Sequence, residues 1–575
     1  MTALSVSTAI SSGRVALVNV RQRSLFTARL RVLWVVLGFV LVAAAALLRI
    51  GYLGLFQDAP ASRSLSEALL PPRGEIRDRN GVPLARAFPA YALWYNPEAL
   101  NDGGAPLVKT PAEVARALHR IFPDMDVQQL TRRLASGRPG YLRRRLLPEE
   151  ANRVQGIGEI ALEIPQETER FYPQGAMAAH VLGYVSADGH GKVGMEEVLD
   201  KQLSDPARRG QPAILSIDTR VQGALEDELK KGMLATNAVG AAGIILDVDT
   251  GEVLALASLP SFDPNKIDAT GAGHMFNRVT NQVYELGSTF KPLSIAAAMD
   301  AGVVNDLAKR YQSSQPIHIG GFRIRDSHPL GASLNVPEAL MHSSNIVTAQ
   351  IADQLGGKQL KRTMADLGMN ERPYIELPAR GFPIWPKGEW PRLRTMTVSY
   401  GHGIAVTPLH LASAYAAMVN GGIWRPTTLH KIEPGHAPRG RRVFKASTSA
   451  RMNQMLRMIV SDGTGRKAEA PGFRLGGKTG SAEKPGAGGY RRHSLISTFA
   501  AAFPMDRPRY VIVAMLDEPQ GTAASSYQRT AAWNAAPIVG KVVPRVGPLL
   551  GIMPDDTRDI DLTDLKPLVH RGGGE

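Results

Sequence analysis

Ser288 and Lys291 stand three residues apart in Tyr284-Glu285-Leu286-Gly287-Ser288-Thr289-Phe290-Lys291-Pro292. On a helix that spacing puts both side chains on one face. A serine hydroxyl becomes an effective nucleophile once a neighbouring base takes its proton, and a desolvated lysine can be that base. Gly287 would let the chain turn sharply into the helix. Ser288 would then lie near the helix N-terminus, where free N–H groups favour developing negative charge. A Ser-x-x-Lys pair also arises by chance about once or twice in a chain this long, so the pair alone decides nothing.

Two further motifs follow in order. Ser343-Ser344-Asn345 is a Ser-x-Asn whose outer side chains can point together into a cleft. Lys478-Thr479-Gly480-Ser481 sits in a strand-like run, where alternation sends Lys478 and Gly480 to one face and Thr479 and Ser481 to the other. Alternation therefore does not explain a shared role for Lys478 and Thr479 unless the strand twists or bulges. Gly480 lacks a side chain, so a substrate backbone could lie against the strand there. Taken together, the three motifs resemble those of the penicillin-binding proteins, which are active-serine transpeptidases.

Composition sets outer bounds. The 575 residues leave room for a large catalytic domain, a second domain and an anchor. With no cysteine, disulfides, thiolate metal sites and cysteine nucleophiles are excluded. The formal charge is +15 and the pI about 9.9, but the basic residues are dispersed and no nucleic-acid motif appears. Attraction to anionic membrane or wall polymers is the simpler reading, and no nucleic-acid partner is expected.

Five arginines and no acidic residue precede the apolar run from Val32 to Leu48, which continues past Arg49 through Ile50 to Phe56. The run can span a bilayer, and the preceding arginines place the N-terminus in the cytoplasm. A cleaved signal peptide is the competing reading; the long N-terminal region and the lack of a small-x-small cleavage site speak against it. Residues 1–31 are thus expected to be a cytoplasmic basic tail, 32–56 a transmembrane anchor, and the rest extracytoplasmic.

Residues 58–235 suggest a mixed α/β module without a nucleophile–base pair. Arg73-Gly74-Glu75-Ile76-Arg77-Asp78-Arg79-Asn80-Gly81 ends in an Asn-Gly turn signal, and Thr110-Pro111-Ala112-Glu113 is a capping box opening a helix. The Arg-Gly-x-Ile-x-Asp-Arg-Asn-Gly stretch resembles the non-catalytic pedestal of class B penicillin-binding proteins.

Residues 236–550 read as the catalytic domain. Gly243 to Val248 and Glu252 to Ser258 predict a hairpin, Ser288 to Ala301 and Val336 to Leu355 helices, Ser497 to Phe503 and Tyr510 to Leu516 another hairpin, and Trp533 to Val543 a closing helix. His402, in the Gly-rich Gly401-His402-Gly403, is read as structural because a lysine already fills the base role in the resembling family. Residues 551–575 are polar, end in a glycine run, and are expected to be disordered.

The resemblance implies an α+β fold: a single N-terminal transmembrane helix, a mixed α/β pedestal, and a penicillin-binding-protein/β-lactamase-like domain with an antiparallel sheet flanked by helices. Within class B, the Ser288 stretch and the Gly-His-Gly…Thr-Pro-Leu-His-Leu run look most like the septal, cell-division branch. That implies a peptidoglycan stem peptide ending in D-Ala-D-Ala as substrate, β-lactam antibiotics as inhibitors, and no metal or organic cofactor. Implied partners are the membrane-embedded glycan polymerase FtsW and other division proteins. It also implies Lys291 as base for Ser288, Ser343 as relay to the departing D-alanine, and Lys478 as the group setting its electrostatics. Asn345 would hold Lys291 and the donor peptide, and Thr479 and Ser481 the terminal carboxylate, beside Gly480. Backbone N–H groups of Ser288 and Ser481 would form the oxyanion hole. Ser481 stands where the family usually has threonine, keeping the hydroxyl and losing a methyl group. The alternatives are a carboxypeptidase or β-lactamase, an elongation-specific transpeptidase, and a non-catalytic scaffold or antibiotic sensor.

Overall fold

The computed structural model describes residues 20–56, 72–99, 107–186, 188–267, 273–486 and 489–569. The chain divides into two units, Met1–Leu70 and Pro71–Glu575. In the first, helix α1 (Val20–Phe56) is continuous, and its stretch Ala28–Arg49 is long and apolar enough to cross a bilayer. The helix begins twelve residues before the expected anchor, so residues 20–31 of the expected tail are helical. Nothing in that arginine-bearing segment breaks a helix, since arginine is a good helix former. Residues 1–19 of the expected tail lie outside the described residues.

The second unit begins with the pedestal. Its long strand β1 (Pro83–Tyr95) pairs antiparallel with β2 (Gly140–Leu146) and β3 (Gln166–Phe171). The Asn-Gly turn leads into β1 with Gly81 at φ +86°. The capping box at Thr110 forms in both directions and opens the helix Pro111–Ile121. Two residues from the characteristic stretch tie this region together. Arg73 and Arg170 share the fully buried Glu196, and Asp78 accepts from the backbone N–H and hydroxyl of Thr219.

Thr219 opens α2 (Thr219–Ala235), which precedes the central hairpin β4 (Gly240–Asp247) and β5 (Val253–Leu259). There follow α3 (Lys291–Asp300), α4 (Val336–Met341), α5 (Asn345–Leu355), α6 (Pro408–Val419) and α7 (Ala446–Ser461). Strands β6 (Gly476–Gly486), β7 (Gly489–Phe503) and β8 (Tyr510–Asp517) and the helix α8 (Ala535–Val546) complete the domain. The five strands form one antiparallel sheet in the order β5-β4-β8-β7-β6.

Alternation along β8 explains the layering. Ile512, Ala514 and Leu516 pack with Val221, Leu225 and Leu229 of α2 and with Val539 and Val543 of α8. Val511, Val513 and Met515 pack with residues of α3, α6 and α7 on the opposite face. The sheet is therefore buried on both faces, and β6 stands at its edge.

Two expectations change. The helix expected over Val336 to Leu355 is broken between α4 and α5, where Ser343 adopts a left-handed φ of +61°. The tail expected to be disordered is instead seated on the domain as far as residue 569. Ile552, Leu562 and Leu565 are buried, Arg457 of α7 pairs with Asp559, and Gln454 donates to the Asp561 carbonyl at 2.6 Å. A few apolar side chains spaced along a polar segment suffice because α7 offers matching cations. Residues 570–575 of that tail lie outside the described residues.

Candidate active site

Ser288 lies in a 3-10 turn, Gly287–Phe290, that runs directly into α3. Side chains three apart eclipse in a 3-10 turn, and the same spacing shares one face of the helix that continues it. Gly287 enters the turn at φ +54°, the left-handed region that glycine reaches without a Cβ penalty. Lys291 is the first residue of α3 and fully buried, whereas Ser288 is only half-buried.

The break between α4 and α5 brings in the second motif. Ser343 projects from that corner, and its hydroxyl accepts from Lys291 Nζ at 3.1 Å and from Lys478 Nζ at 3.0 Å. Lys291 Nζ also donates a short hydrogen bond to the Ser343 carbonyl. A continuous helix would have turned that carbonyl into its own hydrogen-bond ladder.

Lys478 reaches the site from the edge strand β6, likewise fully buried. Its amine also donates to the Thr479 carbonyl at 3.1 Å and the Thr479 hydroxyl at 3.3 Å. Thus Lys478 and Thr479 do meet, through a side chain that folds back along its own strand rather than through alternation. The Thr479 hydroxyl in turn donates to Thr464 at 3.1 Å, a residue that no motif marks.

Gly480 also answers a packing constraint. A Cβ there would lie 2.5 Å from the Leu286 carbonyl and 2.8 Å from Thr289 Cγ2. The strand is pressed against the turn that carries Ser288, and only glycine fits the approach. The Ser481 hydroxyl accepts from the buried Ala531 N–H at 3.0 Å, so it is engaged with the far side of the domain.

Asn345 departs from its expected contact with Lys291. Its side-chain N–H donates to the Arg325 carbonyl at 3.0 Å because it heads α5, where Asp326 takes the backbone N–H groups. His402 packs between Tyr400 and Tyr490, with ring centroids 5.3 and 5.8 Å away. Beside it, Glu285 accepts from Gly403 N–H and the Tyr490 hydroxyl. Glu285, Tyr490, Thr464 and Asp326 were invisible as a group because they come from four separate segments.

Burial acts on both lysines. Burial pushes Lys478 down to about 7. Burial pushes Lys291 well below the usual lysine range too, with the Lys478 charge adding to the effect and Asp326 opposing it. Both shifts favour the uncharged amine, the form a base for Ser288 requires.

Comparison with known proteins places these motifs in context. Residues 241–539 match the penicillin binding protein transpeptidase domain, and residues 68–244 match the penicillin-binding protein dimerisation domain. A probable peptidoglycan D,D-transpeptidase FtsI of Caulobacter vibrioides is 37% identical over 516 residues, 87% of this chain and 85% of the relative. Peptidoglycan D,D-transpeptidase FtsI of Escherichia coli K12 is 30% identical over 530 residues, 87% of each chain. Penicillin binding protein 3 of Mycobacterium tuberculosis, solved in complex with aztreonam, superimposes with a TM-score of 0.66 at 24% identity, covering 84% of this chain and 98% of that one.

Proposed function

Since this chain belongs to the class B penicillin-binding proteins, a family of serine-type peptidoglycan D,D-transpeptidases, we propose that Ser288 is its nucleophile and that Lys291, Ser343 and Lys478 move the protons. The observation that carries the assignment is the single Ser343 hydroxyl held by both buried amines, next to the turn that β6 presses into place. Lys291, uncharged, takes the proton of Ser288 as its oxygen attacks the carbonyl between two D-alanines of a stem peptide. The tetrahedral oxyanion is met by backbone N–H groups of Ser288 and Ser481, donors worth about 3 kcal/mol each in such sites. The carbon–nitrogen bond then breaks, and the departing D-alanine nitrogen receives the proton through Ser343, whose hydroxyl is polarised by Lys478. An amine from a neighbouring stem peptide attacks the acyl-Ser288 carbonyl and gives up a proton to Lys291; the ester bond to Ser288 then breaks, Lys291 returns the proton to the Ser288 oxygen, and the new amide is the cross-link.

An edge strand offers unpaired backbone groups, so the donor peptide can lie along β6 with its carboxylate near Thr479. Ser481, engaged with Ala531, contributes mainly through its backbone. Asn345 lines the cleft from the head of α5.

Likeness to FtsI proteins supports a septal role with FtsW and other division proteins as partners. The basic residues before the apolar run that starts at Val32 support an N-terminus in the cytoplasm and a catalytic domain outside the inner membrane. Purified protein, given a pentapeptide donor ending in D-Ala-D-Ala and an acceptor stem peptide, is expected to release D-alanine in step with cross-linked dimer. D-alanine release with free donor acid and no dimer would instead identify a carboxypeptidase.

A further inference from the structure

The middle residue of Ser343-Ser344-Asn345 has no part in the proton transfers above, yet it is fully buried. Ser344 accepts from the Val347 N–H at 3.1 Å as the cap of α5, and its hydroxyl donates to Asp326 Oδ2 at 2.7 Å. The other carboxylate oxygen, Oδ1, accepts from the backbone N–H groups of Asn345 at 2.5 Å and Ile346 at 3.1 Å. The neighbouring Arg325 carbonyl takes the Asn345 side chain at 3.0 Å. One dipeptide therefore holds the corner through four hydrogen bonds. It sits just past a small hairpin formed by the strands Ile317–Ile319 and Phe322–Ile324.

That corner carries the Ser343 carbonyl and hydroxyl to which Lys291 donates, and the left-handed conformation of Ser343 needs outside support of this kind. The charged and titratable groups that face Lys291 are Lys478 from β6, Asp326 from this loop and, from the loop before α6, His402. Among them Asp326 is the one anion, and a carboxylate also suits the positive end of α5.

We infer that Asp326 is a positioning residue for acylation: it clamps the Ser343-Ser344-Asn345 corner and supplies a counter-charge for the buried Lys291. The inference rests on the reading of Ser288 and Lys291 given above. Holding the corner supports the height of the acylation rate, and the counter-charge raises the pH at which Lys291 loses its proton, against burial and the Lys478 charge.

The test compares second-order acylation by a fluorescent penicillin across pH 5 to 9 in the wild type, Asp326→Asn and Ser344→Ala, with thermal unfolding as the check on folding. Asparagine keeps one acceptor oxygen for the Asn345 and Ile346 N–H groups but removes the charge. Without the anion, protonated Lys291 is less favoured, so the acid limb of the Asp326→Asn profile moves to lower pH by about half a unit or more. The plateau falls roughly tenfold or more as the corner loosens. Ser344→Ala, which removes a neutral group, lowers the plateau and leaves the limb in place. A limb that stays put in folded Asp326→Asn overturns the inference, whatever the plateau. Absence of acylation in the wild type would instead refute the reading of Ser288 itself.

Discussion

Replacing Gly480 by alanine tests whether the edge strand sets the position of the nucleophile. The added Cβ would stand 2.5 Å from the Leu286 carbonyl oxygen, 2.8 Å from Thr289 Cγ2 and 3.2 Å from the Thr289 nitrogen. Ordinary non-bonded contacts between such atoms begin near about 3.5 Å, so β6 and the Ser288 turn must separate by about 1 Å. The carbonyl and the nitrogen belong to the backbone, and no rotamer change relieves them. Overpacking of this kind costs about 1–3 kcal/mol of stability. A displacement of about 1 Å between reacting groups costs on the order of a hundredfold in rate. Gly480→Ala is therefore expected to melt only a few degrees below wild type while its acylation rate constant with a fluorescent penicillin falls about a hundredfold. A folded variant that acylates at the wild-type rate would refute the mutual positioning of strand and turn.

Lys291→Arg keeps a positive charge but cannot release a proton at accessible pH, so acylation should fall by at least about a hundredfold, the usual contribution of a general base; stopped-flow acylation reads this directly. Ser481→Thr keeps the acceptor for Ala531 N–H and should leave stability unchanged, whereas Ser481→Ala strands that buried N–H and should cost about 1–3 kcal/mol in denaturant melts. Burial holds His180 and His410 down to about 4, against 6.5 for an unperturbed imidazole, so the unfolded chain takes up protons first as the pH drops. Stability is then lost from pH 6.5 toward 4, by roughly 2 kcal/mol per histidine at pH 5. Removing one of them, as in His410→Gln, should flatten the dependence of chemical denaturation on pH by about that amount.

Much of the fold was legible because local signals were unambiguous. The capping box at Thr110, the turn at Gly81 and the unbroken apolar run of β8 were each readable locally. The residues proposed for the chemistry stood out for a similar reason: Ser288, Lys291, Ser343 and Lys478 sit in motifs that resemble those of a known family. What escaped the sequence depends on tertiary context. Nothing local marks the break at Ser343, which is fixed by Asp326 from eighteen residues upstream of Ser344. The expected contact between Asn345 and Lys291 gave way to the Arg325 carbonyl for the same reason. The C-terminal segment reads as disordered from its polarity, but its aspartates meet Arg451 and Arg457 of α7, partners that composition cannot display.

The central claim is that one hydroxyl, Ser288, carries the acyl group. Intact-mass measurement after incubation with a penicillin, followed by peptide mapping, tests it most directly. The wild type should gain the mass of one opened β-lactam on the peptide containing Ser288, and Ser288→Ala should gain none. An adduct that persists in Ser288→Ala, or one that maps to another residue, would contradict the account.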